Sequence, residues 1–261
     1  MRLTRFATIQ SPAPAWPTWV SAAHRRRVDP LTRIACAAVD GLHMTCAWSP
    51  DTALVVSTAY GSIDSTWRFA SSIAEFGDAG ASPTPFTSAV HNASSGSLCE
   101  LLHLHGSCTT LSQGGHATIA ALRWADLQLT AQRAPAVLIV IADHFNAWSR
   151  KIISNLSGSP WPLGDGAVAL LAEPGDGAGR AVRWGDHAYD LAIDAGAPHP
   201  ADEALLAVAP RRRCSADIIG AWAPGSTLAG VTSELWRSTT TLQIRECEDR
   251  ILHTAWLGPW C

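Results

Sequence analysis

The chain has 261 residues, of which 47% are hydrophobic and 16% charged, with a formal net charge of −3. That length and composition suffice to bury a sizeable core, which excludes disorder for the bulk of the chain, and the slightly acidic balance excludes nucleic acid held by bulk charge. No run of about 18 apolar residues occurs, which excludes a membrane-spanning helix.

Met1–Gln10 lacks the apolar segment that a signal peptide needs. Seven cysteines, at 36, 46, 99, 108, 214, 247 and 261, form no C-x-x-C pair. This pattern fits reduced, mostly buried thiols, and a cytoplasmic location is expected. Lys151 is the only lysine against many arginines, a bias expected of a GC-rich bacterial genome.

In chain order, Arg5–Ile9 reads as a short strand and Ser11–Trp19 as a Pro- and Trp-rich loop. Asp29-Pro30 is a helix start, and Leu31, Ile34, Ala35, Ala38, Val39 and Leu42 follow at helical spacing. Ala53–Thr58 has the character of a buried strand, and Ser65–Phe76 of a helix stopped by Gly77. Gly80–Pro85 reads as a loop, and Ala93–Leu104 as a helix weakened by Gly96. Thr109–Ser112 reads as a buried strand, Gln113-Gly114-Gly115 as a tight turn, and Ile119, Leu122 and Leu129 as the apolar face of the next helix. Ala136–Ala142 and Ala167–Ala172 are apolar strands. The alternation of strands and helices predicts a layered α/β domain with a largely parallel sheet. Beyond Pro174 the pattern weakens: a glycine turn at 175–179, a short helix over Ala201–Val208, and a strand within Leu235–Arg245.

Candidate chemistry is sparse. Gly175-Asp-Gly-Ala-Gly179 has dinucleotide-like glycines, but Arg180–Trp184 reads as extended chain, and such a fingerprint requires a helix there. His103-Leu-His105 presents two imidazoles on one side of a presumed strand with no third ligand nearby, so no metal is expected. His116 lies in the first turn of a helix, where a contact to a ligand competes with a plain polar position. Cys108 lies too early to feel the dipole of that helix and reads as a buried structural thiol. Ser112 lacks the G-x-S-x-G spacing of a nucleophile elbow. The basic triplets Arg25–Arg27 and Arg211–Arg213 read as solvated faces, with contact to a phosphate or an acyl carrier as the alternative.

Taken together, four stretches resemble the β-ketoacyl synthases, condensing enzymes of the thiolase fold. They are Arg25-Arg-Arg-Val-Asp-Pro-Leu-Thr-Arg-Ile-Ala, the loop from Ser82 to Ala93 that carries His91-Asn92, the stretch Gly106–Ala125, and Gly164-Asp-Gly-Ala-Val-Ala-Leu-Leu-Ala-Glu173. They occur in family order over roughly residues 25–173. The Ser-Pro-Thr and Ser-x-Val-His-Asn-Ala patterns are most similar to a short, divergent branch that supplies chain-length-factor subunits in aryl-polyene (xanthomonadin-type) pigment pathways.

The resemblance implies a thiolase-like α/β fold, essentially the N-terminal half of a ketosynthase (1–174) with a short divergent C-terminal extension (175–261) packed on the same domain. It places Gly115 where the family carries its catalytic Cys, with Gln113 two positions before it. The His and Lys of the family's second half have no counterpart motif; His187, His199 and His253 stand alone. Condensation needs a thiolate to hold the acyl chain and donors for the thioester enolate, and glycine supplies neither. The expectation is a non-catalytic, chain-length-factor-type subunit without cofactor that pairs with a full-length β-ketoacyl synthase and serves acyl chains on acyl carrier protein. By the same resemblance, Cys108, Thr109, Thr110, Leu111, Ser112 and Gln113 lie at the partner interface. Two alternatives stay open: an active condensing or decarboxylating enzyme using Cys108 or Gln113, and a hydrolase or acyltransferase using Ser112.

Overall fold

The computed structural model describes residues 1–10, 15–43, 48–113, 117–157, 165–175, 177–188, 205–208, 212–213, 242–248 and 251–260. Chain order gives β1 (Arg2–Gln10), α1 (Ala22–Arg25), α2 (Pro30–His43), β2 (Ala53–Thr58), α3 (Ile63–Phe76), α4 (Pro83–Thr87), α5 (Ala93–Leu102), β3 (Cys108–Ser112), α6 (Ala117–Thr130), β4 (Val137–Asp143), α7 (Ala147–Ser157), β5 (Gly166–Glu173) and β6 (Arg180–Ala188). Then follow β7 (Leu205–Val208), β8 (Arg212–Arg213), β9 (Leu242–Glu248) and β10 (Ile251–Trp260).

The ten strands among the described residues form one sheet in the order β3-β2-β4-β5-β1-β6-β10-β9-β7-β8. Only β2, β3 and β4 are mutually parallel; β5, β1, β6 and the later strands pair antiparallel. The sheet is therefore mixed, not largely parallel, because β5 returns beside β4 and β1 and β6 continue from it as antiparallel neighbours.

The strand period of two sorts the core into two halves. Val55, Ile139, Ile141, Val168 and Leu170 meet Ile119, Leu122 and Leu129 of α6 on one face. Leu54, Val56, Leu138, Val140, Ala167 and Ala169 meet Ile34, Ala38 and Leu42 of α2 and Leu98 of α5 on the other. With helices on both faces, β2 and β4 are buried at every position, as strands covered on both sides must be. Asp29 caps α2 by accepting from Thr32 N–H at 2.8 Å. Gly77 ends α3 with φ 71°, its N–H donating to Ile73 O.

Several expectations are corrected. β3 is the edge of the sheet and half-exposed, not buried. Pro83–Thr87 forms a helical turn where a loop was expected, Pro83 standing at its start. His103 is the left-handed C-terminal cap of α5 (φ 53°), so His103 and His105 do not share a strand. Residues 205–208 are strand β7 paired with β9, where sheet pairing overrides the helix formers of Ala201–Val208. The chain between β5 and β6, with positive φ at Gly175 and Gly179, feeds β6 and no helix; it is not a hairpin, because β1 lies between β5 and β6 in the sheet. No described helix is long and apolar enough to cross a membrane.

The loop into β3 fixes one glycine. A Cβ on Gly106 would lie 2.6 Å from both Asp51 O and Thr52 O, backbone atoms that cannot swing aside. Gly106→Ala should therefore cost about 1–3 kcal/mol, read as a lower urea midpoint at unchanged m-value.

Candidate functional site

Because β2, β3 and β4 run the same way, their carboxyl ends emerge together at Thr58, Ser112 and Asp143. In α/β sheets this is the end where ligands and chemistry collect. Here it carries a buried polar cluster. The Asp143 carboxylate, fully buried, accepts from Thr58 Oγ1 at 2.8 Å and from Ala59 N–H at 2.9 Å, which ties the ends of β4 and β2 together. Thr58 Oγ1 also accepts from Gly61 N–H. Gly61 adopts φ 61°, and a Cβ there would strike the His91 imidazole, so glycine lets the Ser82–Ala93 loop close over this turn. Tyr60 packs edge-on to Phe145; burial and the Asp143 charge raise its phenol above its ordinary value.

Beyond Asp143 the next turn adds an ion cluster. His144 Nε2 lies 3.4 Å from Asp64 Oδ2 on α3, and its Nδ1 lies 3.1 Å from Asp165 Oδ2 ahead of β5. Arg150 on α7 pairs with Asp165 Oδ1 at 3.1 Å, and Phe145 N–H donates to the same oxygen at 3.0 Å. Burial raises the Asp165 carboxyl, but the hydrogen bond and charge of His144, the Phe145 amide and Arg150 outweigh it and hold it below the usual range. Ser149 Oγ donates to Asp64 Oδ1 at 2.8 Å, and Asn146 caps α7 by accepting from Trp148 and Ser149 N–H. Trp67 and Trp148 stack 4.0 Å apart alongside.

Chemically this cluster is a clamp. In a hydrolytic triad the imidazole sits between hydroxyl and carboxylate; here the Asp64 carboxylate sits between Ser149 and His144, so the imidazole does not face the hydroxyl. Thr58 likewise spends its proton on Asp143. Among the described residues no group of three or more His, Cys, Asp or Glu is placed to hold a metal ion.

The residues singled out in the sequence do not converge on this cluster. Ser112 and Gln113 reach the correct end and are exposed, with Gln113 N–H donating to Thr58 O at 3.2 Å. Cys108 stands at the opposite end of β3, about 13 Å away at roughly 3.3 Å per residue, and is exposed and not buried as expected. Gly115 and His116 lie outside the described residues. Arg26 and Arg27 are exposed and line a cavity of about 550 Å³ with Thr32, Thr84, Thr87 and Ser97, whereas Arg25 is spent on Val20 O and Pro17 O. Asp64, His144 and Arg150 were missed. The one signal for them was the pair Asp143-His144 directly after the most apolar strand, where charge is costly unless partnered.

The fold recurs in solved ketosynthase assemblies. A chain of the ishigamide ketosynthase/chain length factor is 18% identical with TM-score 0.72, covering 96% of this chain and 86% of that one. A chain of the structure of AntDE:AntF, a type II PKS acyl-carrier protein in complex with its ketosynthase bound to the hexaketide, gives 13% identity and TM-score 0.75, covering 99% of both. The ketosynthase ApeO in complex with its chain length factor ApeC, from Xenorhabdus doucetiae, gives 16% and 0.61 over 98% of this chain and 99% of that one. At these identities the likeness is one of fold. The sequence matches no curated protein. The model for the N-terminal domain of β-ketoacyl synthases matches residues 4–179, a span that takes in β1 to β5, the Arg25–Arg27 helix start, the strand ends and the Asp165 turn. The chain thus belongs to the β-ketoacyl synthase family and has its thiolase-like α/β fold.

Proposed function

We propose that the chain is a non-catalytic, chain-length-factor-type subunit that pairs with an active β-ketoacyl synthase in polyene, polyketide or fatty-acid-like biosynthesis. The observation that carries this reading is the open edge of β3. Gln113 N–H and Ser107 O both face β2, so by strand alternation the backbone groups of Thr109 and Leu111 do too. Those of Cys108, Thr110 and Ser112 then face outward, where no strand pairs with them among the described residues. An unprotected edge is a template for a strand from another chain. In sequence the same strand is followed closely by Gly115, which the family resemblance sets at the nucleophile position. In this reading residues 175–261 extend the ketosynthase-like domain 1–174, in line with β6 and β10 continuing its sheet. Co-expression with candidate ketosynthases tests the proposal: a stable heterodimer whose product length changes when this subunit is varied is expected, and a soluble monomer with no effect on product would overturn it.

Acyl carrier protein is the second partner in this reading. Carrier proteins are acidic and present a phosphate-bearing arm, and the Arg26–Arg27 cavity offers two exposed guanidinium groups among hydroxyls. Reversing both charges (Arg26→Glu with Arg27→Glu) should weaken carrier-protein binding to the complex by about tenfold, mostly through the association rate and most strongly at low salt. Equal binding at low and high salt would remove this role.

The alternative of an active thioester enzyme draws on one observation. The Cys108 thiol is lowered to about 7, by the hydrogen bond from Cys99 foremost, with burial opposing and Ser95 assisting. Its place at the far end of β3 from the polar cluster weighs against it. A Cys108→Ala variant that keeps full activity in the complex would remove it.

A further inference from the structure

Away from the strand ends, α5 and β3 bring two thiols together. Ser95 and Cys99 are one turn apart on α5, and Cys108 and Thr110 are two residues apart on β3, so each pair presents one face to the other. Thr110 Oγ1 donates to Ser95 Oγ at 2.7 Å, which fixes the register and sets Cys99 and Cys108 beside each other as the second pair on that face, near enough for each thiol to bias the other's ionisation. The connection between them is pinned. Leu104 N–H returns to Cys99 O at 3.0 Å, His105 N–H reaches Pro50 O at 2.7 Å, and Gly106 lies against the Asp51–Thr52 backbone. Cys108 is exposed and Cys99 partly so.

We propose that Cys99 and Cys108 form a redox-active dithiol that a hydroperoxide closes to a disulfide, fastening the last turn of α5 to the first residue of the edge strand. The two sulfurs are differentiated for this. The hydrogen bond from Cys99 favours the Cys108 thiolate, while the same bond and burial push Cys99 up and keep it protonated. The Cys108 thiolate attacks one oxygen of the hydroperoxide, the O–O bond breaks, and the alcohol (water, for hydrogen peroxide) leaves with a proton as Cys108 becomes a sulfenic acid. The Cys99 sulfur then attacks the Cys108 sulfur, the S–O bond breaks, and water departs with the Cys99 proton. Two thiols and one hydroperoxide give one disulfide, one alcohol and one water. This dithiol goes beyond the subunit role proposed above and does not depend on it.

The test treats the full chain, with any ketosynthase that co-purifies, with hydrogen peroxide near neutral pH and maps peptides before and after thiol reductant. A reversible Cys99–Cys108 link that forms ahead of any change at buried Cys36 is expected. Cys99→Ser should trap a sulfenic acid at Cys108 that dimedone labels, and Cys108→Ser should leave Cys99 a thiol. A Cys108 that stays reduced, or that passes to sulfinic acid in the wild-type chain without a link to Cys99, overturns the proposal. The wild-type map decides the question even where a variant fails to fold.

Discussion

Thr110→Pro is expected to leave the chain folded while releasing it from a ketosynthase partner. Proline removes a backbone N–H and fixes φ, so on an edge strand it is tolerated where that N–H points away from the neighbouring strand. At Thr110 the N–H points outward, because the flanking odd-numbered positions serve β2. Thr109, the residue before it, is already extended, as a pre-proline residue must be. The folded chain loses the Thr110–Ser95 hydrogen bond, about 1 kcal/mol. A partner strand loses a donor and meets the ring, which should weaken association by roughly tenfold or more. Leu111→Pro is the internal control. Its N–H faces β2, so it should break the ladder and lower the stability of the chain itself, by about 3 kcal/mol or more. Size-exclusion chromatography of co-expressed pairs, beside urea unfolding of each chain, reads both effects. Retention of the partner by Thr110→Pro would show that pairing does not run along this edge.

How far the sequence carries depends on the range of the interaction that decides each element. β2, β4, β5 and helices α2, α3 and α6 were legible because period and capping residues within a dozen positions set them. Thr109–Ser112 was read as buried because its β-branched and apolar residues suit a covered strand. It is uncovered in the single chain, a discrepancy that a partner strand would resolve. β7 was misread because Ala204-Leu-Leu-Ala207 favours a helix locally and only pairing with β9, far along the chain, makes it a strand. α7 went unseen although Asn146 caps it and Trp148 and Ile152 fall one turn apart. The polar clamp was hidden for a topological reason. Thr58, Asp64, Asp143, His144, Ser149 and Asp165 are scattered between positions 58 and 165, and only the parallel register of β2 and β4, with the return of β5, brings them to one point. Cys99 and Cys108 were counted but not paired, since nothing in their spacing says that α5 folds back onto β3.

Asp165 is the residue on which that clamp most depends, and its removal should be felt in stability and in its dependence on pH. The carboxylate gathers three groups from the β4–α7 connection and α7: His144, the Phe145 amide and Arg150. Asp165→Ala leaves a buried amide without its acceptor, the Arg150 guanidinium short of a counter-charge and His144 Nδ1 without its facing carboxylate. A cost of about 2–4 kcal/mol follows, at the lower side of the range for a broken buried pair because the Arg150 side chain is 36% exposed. Asp165→Asn keeps an oxygen for the Phe145 amide and loses only the charge, so it should cost less. The sign of the pH effect is fixed by the direction of the shift. The folded carboxyl is held below its ordinary value of about 3.9. Its contribution is therefore fully present above that value and is lost as pH falls through the lower folded value. Measured by urea unfolding, the stability gap between the wild-type chain and Asp165→Asn should be fully present at about pH 5 and shrink below about pH 4. A gap that stays constant into acid would mean that the Asp165 charge contributes nothing to holding the strand ends together, and that the hydrogen bond to Phe145 alone does.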